Sequence, residues 1–171
     1  MKNSVAENRV YLSRVEISNF RPFGDNFKLD LPGPGVTLLV GPNGLGKTSW
    51  FDAIECGLTG SVRRWQMMPG GEVPPADRLR IGSAVNEWRI QLTFGEREAV
   101  FLRTARQDQS TPIGTPLSEI TSYLATDASA WDLTEEKLSA FLFATHILPQ
   151  SSRARTLSLD PERRWKDRKS V

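Results

Sequence analysis

The sequence contains one cysteine, one histidine and no long apolar run. With Cys56 as its only cysteine, the chain cannot form an internal disulfide, and a zinc site built on cysteines is excluded. The longest apolar runs are short, as at residues 36–40, and none approaches the roughly 20 residues of a membrane-spanning helix. The polar N-terminus lacks the apolar stretch of a signal peptide. These absences predict a soluble cytoplasmic protein without contact with a membrane.

The net charge is also low, at +2 over 171 residues, so the chain as a whole is not a strongly basic nucleic-acid binder. Residues 151–171 nevertheless hold seven Lys and Arg against three acidic residues. This basic end is compatible with phosphate contacts and equally with a solvated helix surface. The composition, 39% hydrophobic and 25% charged, is that of an ordinary globular domain with a real core.

The first hundred residues predict several strands and one helix. The segments 10–17 and 27–31 have the pattern of strands, and 36–40 is apolar enough for a strand buried on both faces. The clearest strand signal is the alternation from Trp88 to Phe94, followed by a turn and a hairpin partner over 98–104. Residues 61–86 have no clear period, and Gly and Pro predict a loop over 67–75.

One helix is predicted over residues 47–58, with Phe51, Ile54 and Leu58 on a single apolar stripe and Gly60 as the C-cap. The last third of the chain is predicted to be helical. Helix starts are indicated by Thr115 with Pro116, by Thr134 with two acidic residues after it, and by Asp160. The second of these helices is predicted to reach about His146, before Pro149.

A glycine-rich loop between the apolar segment and the first helix carries the chemistry. Residues 41–48 match G-x-x-x-x-G-K-[ST]. Glycines let successive backbone N–H groups point at phosphate oxygens, and the start of the following helix adds a partial positive charge. Lys47 supplies a point charge for the β- and γ-phosphates, and the Thr48 hydroxyl is a ligand for Mg²⁺. The N–H and hydroxyl of Ser49 suit the α-phosphate. The motif therefore predicts ATP and Mg²⁺ as cofactors.

The residues around this loop resemble ATPases of the ABC class, especially the SMC, RecF and SbcC proteins. Besides Pro42-Asn43-Gly44, the matching segments are Asn19-Phe20-Arg21, Phe51-Asp52-Ala53-Ile54, the Q-loop-like Ile147-Leu148-Pro149-Gln150, and residues 157–164, which resemble the start of a coiled coil. The fold class that the resemblance implies is α/β: a P-loop half-head, or N-lobe, with a mixed β-sheet. Residues 1–158 would form this lobe and 159–171 the first part of a coiled coil, with an SbcC-like type fitting best.

The resemblance also implies roles at the matching positions. Arg21 would lie near the phosphates, and the Leu79-Arg80-Ile81 segment would pass near the adenine. Gln150 would complete the Mg²⁺ shell and sense the γ-phosphate, so that Lys47 and Gln150 are the predicted catalytic residues and Thr48 and Gln150 the metal ligands. The predicted nucleotide-binding residues are Arg21, Asn43, Gly44, Leu45, Gly46, Lys47, Thr48, Ser49, Leu79, Arg80 and Ile81.

The sequence contains no Ser-Gly-Gly signature and no apolar strand that ends in Asp-Glu. In the resembled family both belong to a C-terminal lobe beyond the coiled coil. The resemblance therefore implies that the partners are this lobe, a second head forming a homodimer, DNA, and an SbcD-type nuclease or other effector. The implied process is DNA repair, chromosome maintenance or defence against phage and plasmids, and hydrolysis by residues 1–171 alone is expected to be weak.

Three other functions remain open. One is the ATP-binding subunit of a transporter, although Gln150 lies 103 residues beyond Lys47 and the Q-loop of transporters usually comes sooner. The second is a small P-loop kinase, with Arg63-Arg64 and Arg78-Arg80 as lid arginines. The last is a nucleotide-binding module without a hydrolytic role.

Overall fold

A computed structural model describes residues 10–66, 70, 73–95 and 99–124. Their centre is a five-stranded sheet in which every pair of neighbouring strands is antiparallel. The strands are β1 (Leu12–Ser18), β2 (Phe27–Asp30), β3 (Glu87–Phe94), β4 (Ala99–Arg106) and β5 (Ile113–Gly114), and they lie in the order β2-β1-β3-β4-β5. The strands predicted near residues 10–17, 27–31, 88–94 and 98–104 are therefore confirmed.

Strand β3 is the central element of the sheet and pairs with β1 on one side and β4 on the other. Its alternation places Trp88, Ile90, Leu92 and Phe94 in the core, as the sequence pattern predicts for a strand with one wet face. On the opposite face, polar side chains pair across strands: Gln91 donates to Glu16 at 3.0 Å. The register is thus set by which face must be buried.

Helix α1 (Lys47–Thr59) covers the apolar face of the sheet. A Cβ at Gly57 would lie 2.8 Å from Cδ1 of Leu92, so glycine allows the helix to approach the strand closely. The helix ends at Gly60, whose φ of 75° and N–H bond to the Cys56 carbonyl confirm the predicted C-cap. The predicted stripe is wrong at its start, because Phe51 is 62% exposed whereas Leu58 is buried.

The prediction for residues 36–40 is also wrong as far as the described residues are concerned. The segment is assigned no strand, and Val36, Leu38 and Val40 are 98%, 80% and 82% exposed. An apolar run of this length forms a buried strand only when neighbouring strands flank it. Among the described residues no strand pairs with this segment, which explains its exposure.

The remaining elements are shorter. Helix α2 (Arg63–Gln66) and a 3₁₀ turn (Pro75–Arg78) lie within the region where the sequence predicted no regular structure. The polar segment after β4 contains the two-residue strand β5. Helix α3 (Leu117–Leu124) begins where Thr115 and Pro116 predicted it. The Thr115 hydroxyl accepts a hydrogen bond from the Leu102 N–H at 3.0 Å and so ties this helix to β4.

The later predictions lie outside the described residues: the helices starting at Thr134 and Asp160, the Q-loop with Gln150, and the boundary at residue 158. In the part of the chain that the structure describes, none of the helices is both long and apolar enough to cross a bilayer.

Candidate nucleotide-binding site

The glycine-rich loop leads directly into α1. Gly44 and Gly46 have φ values of 88° and 77°, a left-handed conformation that glycine adopts without steric cost. Gly46 occupies the N-cap position of α1, and no side chain caps the helix there. The first N–H groups of a helix lack partners within it and attract anions. The loop therefore presents a set of donors to the space in front of α1.

The ammonium of Lys47 is held close to this loop. Its Nζ donates to the carbonyl oxygens of Gly41 and Pro42 at 2.6 Å each. Both contacts are local and partly open to solvent, and an ammonium has a third proton to donate. Lys47 therefore lies at the loop with capacity for an anion in front of the helix.

A cavity of about 670 Å³ opens in front of the loop. Arg21, Lys47 and Arg80 supply cationic side chains and Asp77 one acidic side chain, a balance that suits a polyanion. The lining consists of Arg21, Pro22, Asn43, Gly44, Gly46, Lys47, Thr48, Ser49, Asp77, Leu79, Arg80 and Ile81.

The structure thus brings together ten of the eleven residues predicted to bind nucleotide. The exception is Leu45, which does not line the cavity and is 65% exposed. Pro22 and Asp77 were not predicted. Pro22 packs over the loop, because a Cβ on Gly46 would be 3.1 Å from its Cγ. Gln150 lies outside the described residues.

Two segments distant in sequence, one around Arg21 and one around Arg80, pair along the wall of this cavity. The Arg21 N–H donates to the Arg78 carbonyl, and the Arg80 N–H to the Asn19 carbonyl, each at 2.8 Å. Asn19 and Arg21 have φ values of 52° and 55°, which non-glycine residues adopt at a cost. This backbone pairing places the side chains of Arg21 and Arg80 at the same cavity.

A second cavity of about 490 Å³ adjoins the first and shares Asp77, Leu79, Arg80 and Ile81 with it. Its remaining lining comes from 83–86 and Gln107. The segment from Asp77 to Ile81 therefore separates two adjacent spaces, one beside the glycine-rich loop and one beside the start of β3.

Behind the cavity lies a cluster of arginines and aromatic rings that the sequence did not predict. Trp65 is fully buried, and the guanidinium carbons of Arg21, Arg64 and Arg78 lie 5.4, 5.8 and 5.5 Å from its ring centroid. These distances are typical of cation–π contacts. The sequence offers Arg63-Arg64-Trp65 as a signal, but only the fold shows that Arg21 and Arg78 reach the same ring.

Buried acids of α1 hold this cluster to the helix. Arg64 binds the carboxylate of Asp52 through both Nε and Nη2, and this bond raises the pKa of Arg64. Arg64 is thus used to anchor α2 to α1 rather than as a lid residue. Glu55 accepts a hydrogen bond from the Arg63 N–H at 2.5 Å, yet burial raises the pKa of its carboxyl to about 7.

Metal ligation by clustered side chains is not seen in the described ranges, where no group of three or more His, Cys, Asp or Glu is placed to hold an ion. A cation that accompanies phosphates can instead be held by a hydroxyl and the phosphate oxygens. Thr48 lines the cavity and supplies such a hydroxyl.

Comparison with protein families places this geometry in context. A family model described as an AAA domain matches residues 14–151. The chain is 36% identical over 92 residues to the DNA replication and repair protein RecF of Paenarthrobacter aurescens, covering 53% of this chain and 21% of that protein. It is 47% identical over 45 residues to the chromosome partition protein Smc of Fusobacterium nucleatum, covering 26% of this chain and 4% of that protein. The chain therefore spans about a fifth or less of these relatives.

Among solved structures, the fold is similar to that of an SMC ATPase from work on ATP-driven dimerization and DNA-stimulated activation of SMC ATPases. The TM-score is 0.62 at 21% identity, and the match covers 90% of this chain and 95% of that chain. At this identity the likeness concerns the fold alone.

Proposed function

This chain belongs to the AAA domain family and has the fold of the N-terminal half of an SMC/RecF-type, ABC-class P-loop ATPase, and on that premise we propose that it binds ATP with Mg²⁺ as one lobe of a DNA-associated ATPase head. The observation that carries the proposal is the cavity in front of α1, where the glycine-rich loop, Lys47, Arg21 and Arg80 converge.

The triphosphate would lie along the loop. Backbone N–H groups near Gly44 and Gly46 and the open start of α1 suit its oxygens. Lys47 would donate its remaining N–H to a phosphate oxygen, and Ser49 would bind at the α-phosphate. Arg21 would add a second cation. Each of these groups lines the cavity, which supports their proposed assignment to one ligand.

Magnesium would be held by the Thr48 hydroxyl together with phosphate oxygens, and by Gln150. When bound, the ion neutralises phosphate charge. The adenine would lie against the segment from Leu79 to Ile81. The second cavity beside this segment, with its mixed polar and apolar lining, supports that placement because a base requires both an apolar surface and polar edges.

The exposed apolar surface beside the loop supports a second lobe as partner. Val36, Leu38, Val40 and Phe51 are all at least 62% exposed, and exposed apolar side chains of this number favour an interaction site. We propose that strands of a C-terminal lobe flank residues 36–40 and complete the sheet. That lobe would also supply the carboxylate that acts as the general base, which the sequence lacks. Hydrolysis would therefore require the C-terminal lobe.

The proposal extends to the wider assembly. We propose that two such heads dimerise when ATP is bound and that the assembly acts on DNA, in repair, chromosome maintenance or defence. An SbcC-like architecture, with the coiled coil starting near residue 159 and an SbcD-type nuclease or another effector as partner, is the form that the sequence resemblance favours.

The test is nucleotide binding and turnover by the chain alone and mixed with a separately produced C-terminal lobe. We expect the chain to bind ATP with Mg²⁺, and Lys47→Ala to weaken binding at least about tenfold, since a charge-assisted contact is worth about 1.5–3 kcal/mol. Turnover is expected only in the mixture. Lys28→Ala is the matched control, because Lys28 lies on β2 and pairs with Glu16. Equal binding by the Lys47→Ala variant would refute the proposal.

A further inference from the structure

The side chain of Arg21 connects the proposed phosphate site with the protein interior. It lines the cavity in front of the glycine-rich loop, and its guanidinium carbon lies 5.4 Å from the ring centroid of Trp65. Trp65 has no exposed surface and does not line the cavity. Any effect of Trp65 on a ligand in this cavity must therefore pass through another residue.

An arginine at this position needs to be restrained. The Arg21 backbone is fixed by its bond to the Arg78 carbonyl, but that bond leaves the long side chain free to adopt several rotamers. Ordering an arginine side chain costs conformational entropy. A cation–π contact offsets part of that cost before a ligand arrives. The Trp65 ring is the aromatic surface that meets Arg21.

The ring itself is held in place from several sides. Arg64 contacts it and is bound to Asp52 of α1. Arg78 contacts it as well and donates to the Gly60 carbonyl, at the end of the same helix, at 3.0 Å. The rest of the packing includes Phe20, with ring centroids 6.1 Å apart. The position of the indole is therefore linked to the helix that begins at the glycine-rich loop.

The indole N–H is not what holds the ring. Trp65 Nε1 is buried and has no hydrogen-bond partner among the described residues, although a buried N–H of this kind usually finds one. Retaining an indole whose polar atom is unpaired costs free energy. The interaction that the ring does make is through its π surface, which contacts the guanidinium groups.

We propose that Trp65 is a positioning residue for nucleotide binding, acting through its aromatic surface to hold the Arg21 guanidinium toward the phosphates. The inference rests on the proposed nucleotide-binding function and adds to it a residue that never touches the ligand. Its signature is conditional: Trp65 matters for affinity only while Arg21 is present.

The experiment is a double-mutant cycle on the 171-residue chain, with the affinity for Mg²⁺ and a non-hydrolysable ATP analogue measured by calorimetry. We expect Arg21→Ala to weaken binding about tenfold and Trp65→Leu about fivefold, from the free energies of a charged hydrogen bond and a cation–π contact. In the Arg21→Ala background, Trp65→Leu is expected to change affinity less than about twofold. Trp65→Phe, which keeps an aromatic surface, is expected to remain within about threefold of the wild type.

Two controls separate this inference from a loss of stability and from the proposed function. Trp88→Leu removes an equally buried indole of β3, and thermal melts of all variants report folding.

Several outcomes would contradict the inference. If Trp65→Leu weakens binding equally with and without Arg21, or if Trp65→Phe and Trp65→Leu weaken binding alike, the ring acts only as part of the core and the inference is wrong. If Trp65→Leu does not melt cooperatively, the cycle is repeated with Trp65→Phe. If Trp65→Phe weakens binding of the analogue as much in the Arg21→Ala background as in the wild-type background, the inference is wrong. Failure of the wild type itself to bind the analogue refutes the proposed function instead.

Discussion

Strand β3 and the segment 36–40 both carry several large apolar side chains, but these side chains are buried in β3 and exposed in 36–40. In β3, Trp88, Ile90 and Leu92 are fully buried, between two hydrogen-bonded neighbours and beneath α1. In the other segment, Val36, Leu38 and Val40 are almost fully exposed. The intrinsic preference for burial is similar in both. Of the two segments, only β3 has neighbouring strands on both sides within the described part of the chain.

This difference shows that the hydrophobicity of a segment indicates a need for burial. It does not indicate which part of the molecule covers the segment. Burial yields roughly 25 cal/mol for each Å² of apolar surface removed from water, wherever the covering atoms come from. For β3 these atoms come from β1, β4 and α1. For residues 36–40 we propose that they come from a second lobe. Two of the following three predictions test whether the two regions differ in this way, and the other concerns Glu55, a buried acid of α1.

The largest effect is expected in the closed region. Leu92→Ala should destabilise the chain by about 2–5 kcal/mol, because it removes buried methyl groups and leaves a cavity beneath Gly57 of α1. Urea denaturation followed by circular dichroism measures the change in the free energy of unfolding. A loss below about 1 kcal/mol would mean that the interface between β3 and α1 is less closely packed than its distances indicate.

A smaller effect, limited to one side of the pH range, is expected at Glu55. Burial raises the pKa of its carboxyl to about 7, above the usual value near 4.5, so the folded state binds a proton more tightly than the unfolded state. Stability from this group is then complete below about pH 4.5 and lost as pH rises through about 7. Above that pH the ionised Glu55 lowers the stability of the folded state, because its buried carboxylate is poorly solvated.

The variant Glu55→Gln should remove this cost, since its amide oxygen can still accept the Arg63 N–H. It is therefore expected to be more stable than the wild type at pH 8 and no more stable at pH 4.5, as measured by thermal melts across the range. Glu87→Gln is the comparison, because Arg106 lowers the pKa of the Glu87 carboxyl. Parallel pH profiles for Glu55→Gln and the wild type would contradict the assignment.

The smallest effect is expected in the open region. Leu38→Ala should change the stability of the chain alone by less than about 0.5 kcal/mol, because Leu38 is 80% exposed. The same variant, and more strongly Leu38→Asp, should weaken association with a C-terminal lobe in a pull-down or ultracentrifugation experiment. A destabilisation of the chain alone comparable to that of Leu92→Ala would show that residues 36–40 are buried in solution.

Much of the candidate site was predictable because its chemistry is local. The loop from Gly41 to Thr48 is continuous in sequence, so the glycines, Lys47 and Thr48 could be assigned to one ligand without knowledge of the fold. The cluster around Trp65 was not predictable in this way. Arg21, Trp65 and Arg78 are far apart in the chain, and no short-range pattern relates a buried indole to an arginine 44 positions earlier.

By itself, the sequence determined three local features: the hairpin of β3 and β4, the helix from Lys47 to its C-cap at Gly60, and the glycine-rich loop that precedes this helix. These depend on periodicity and on backbone preferences within a few residues. Only the tertiary structure decided which apolar surfaces are covered, which acid is buried, and which arginines meet Trp65. Each of these depends on atoms brought together by the fold from distant positions, and their free energies exist only once those distances are fixed.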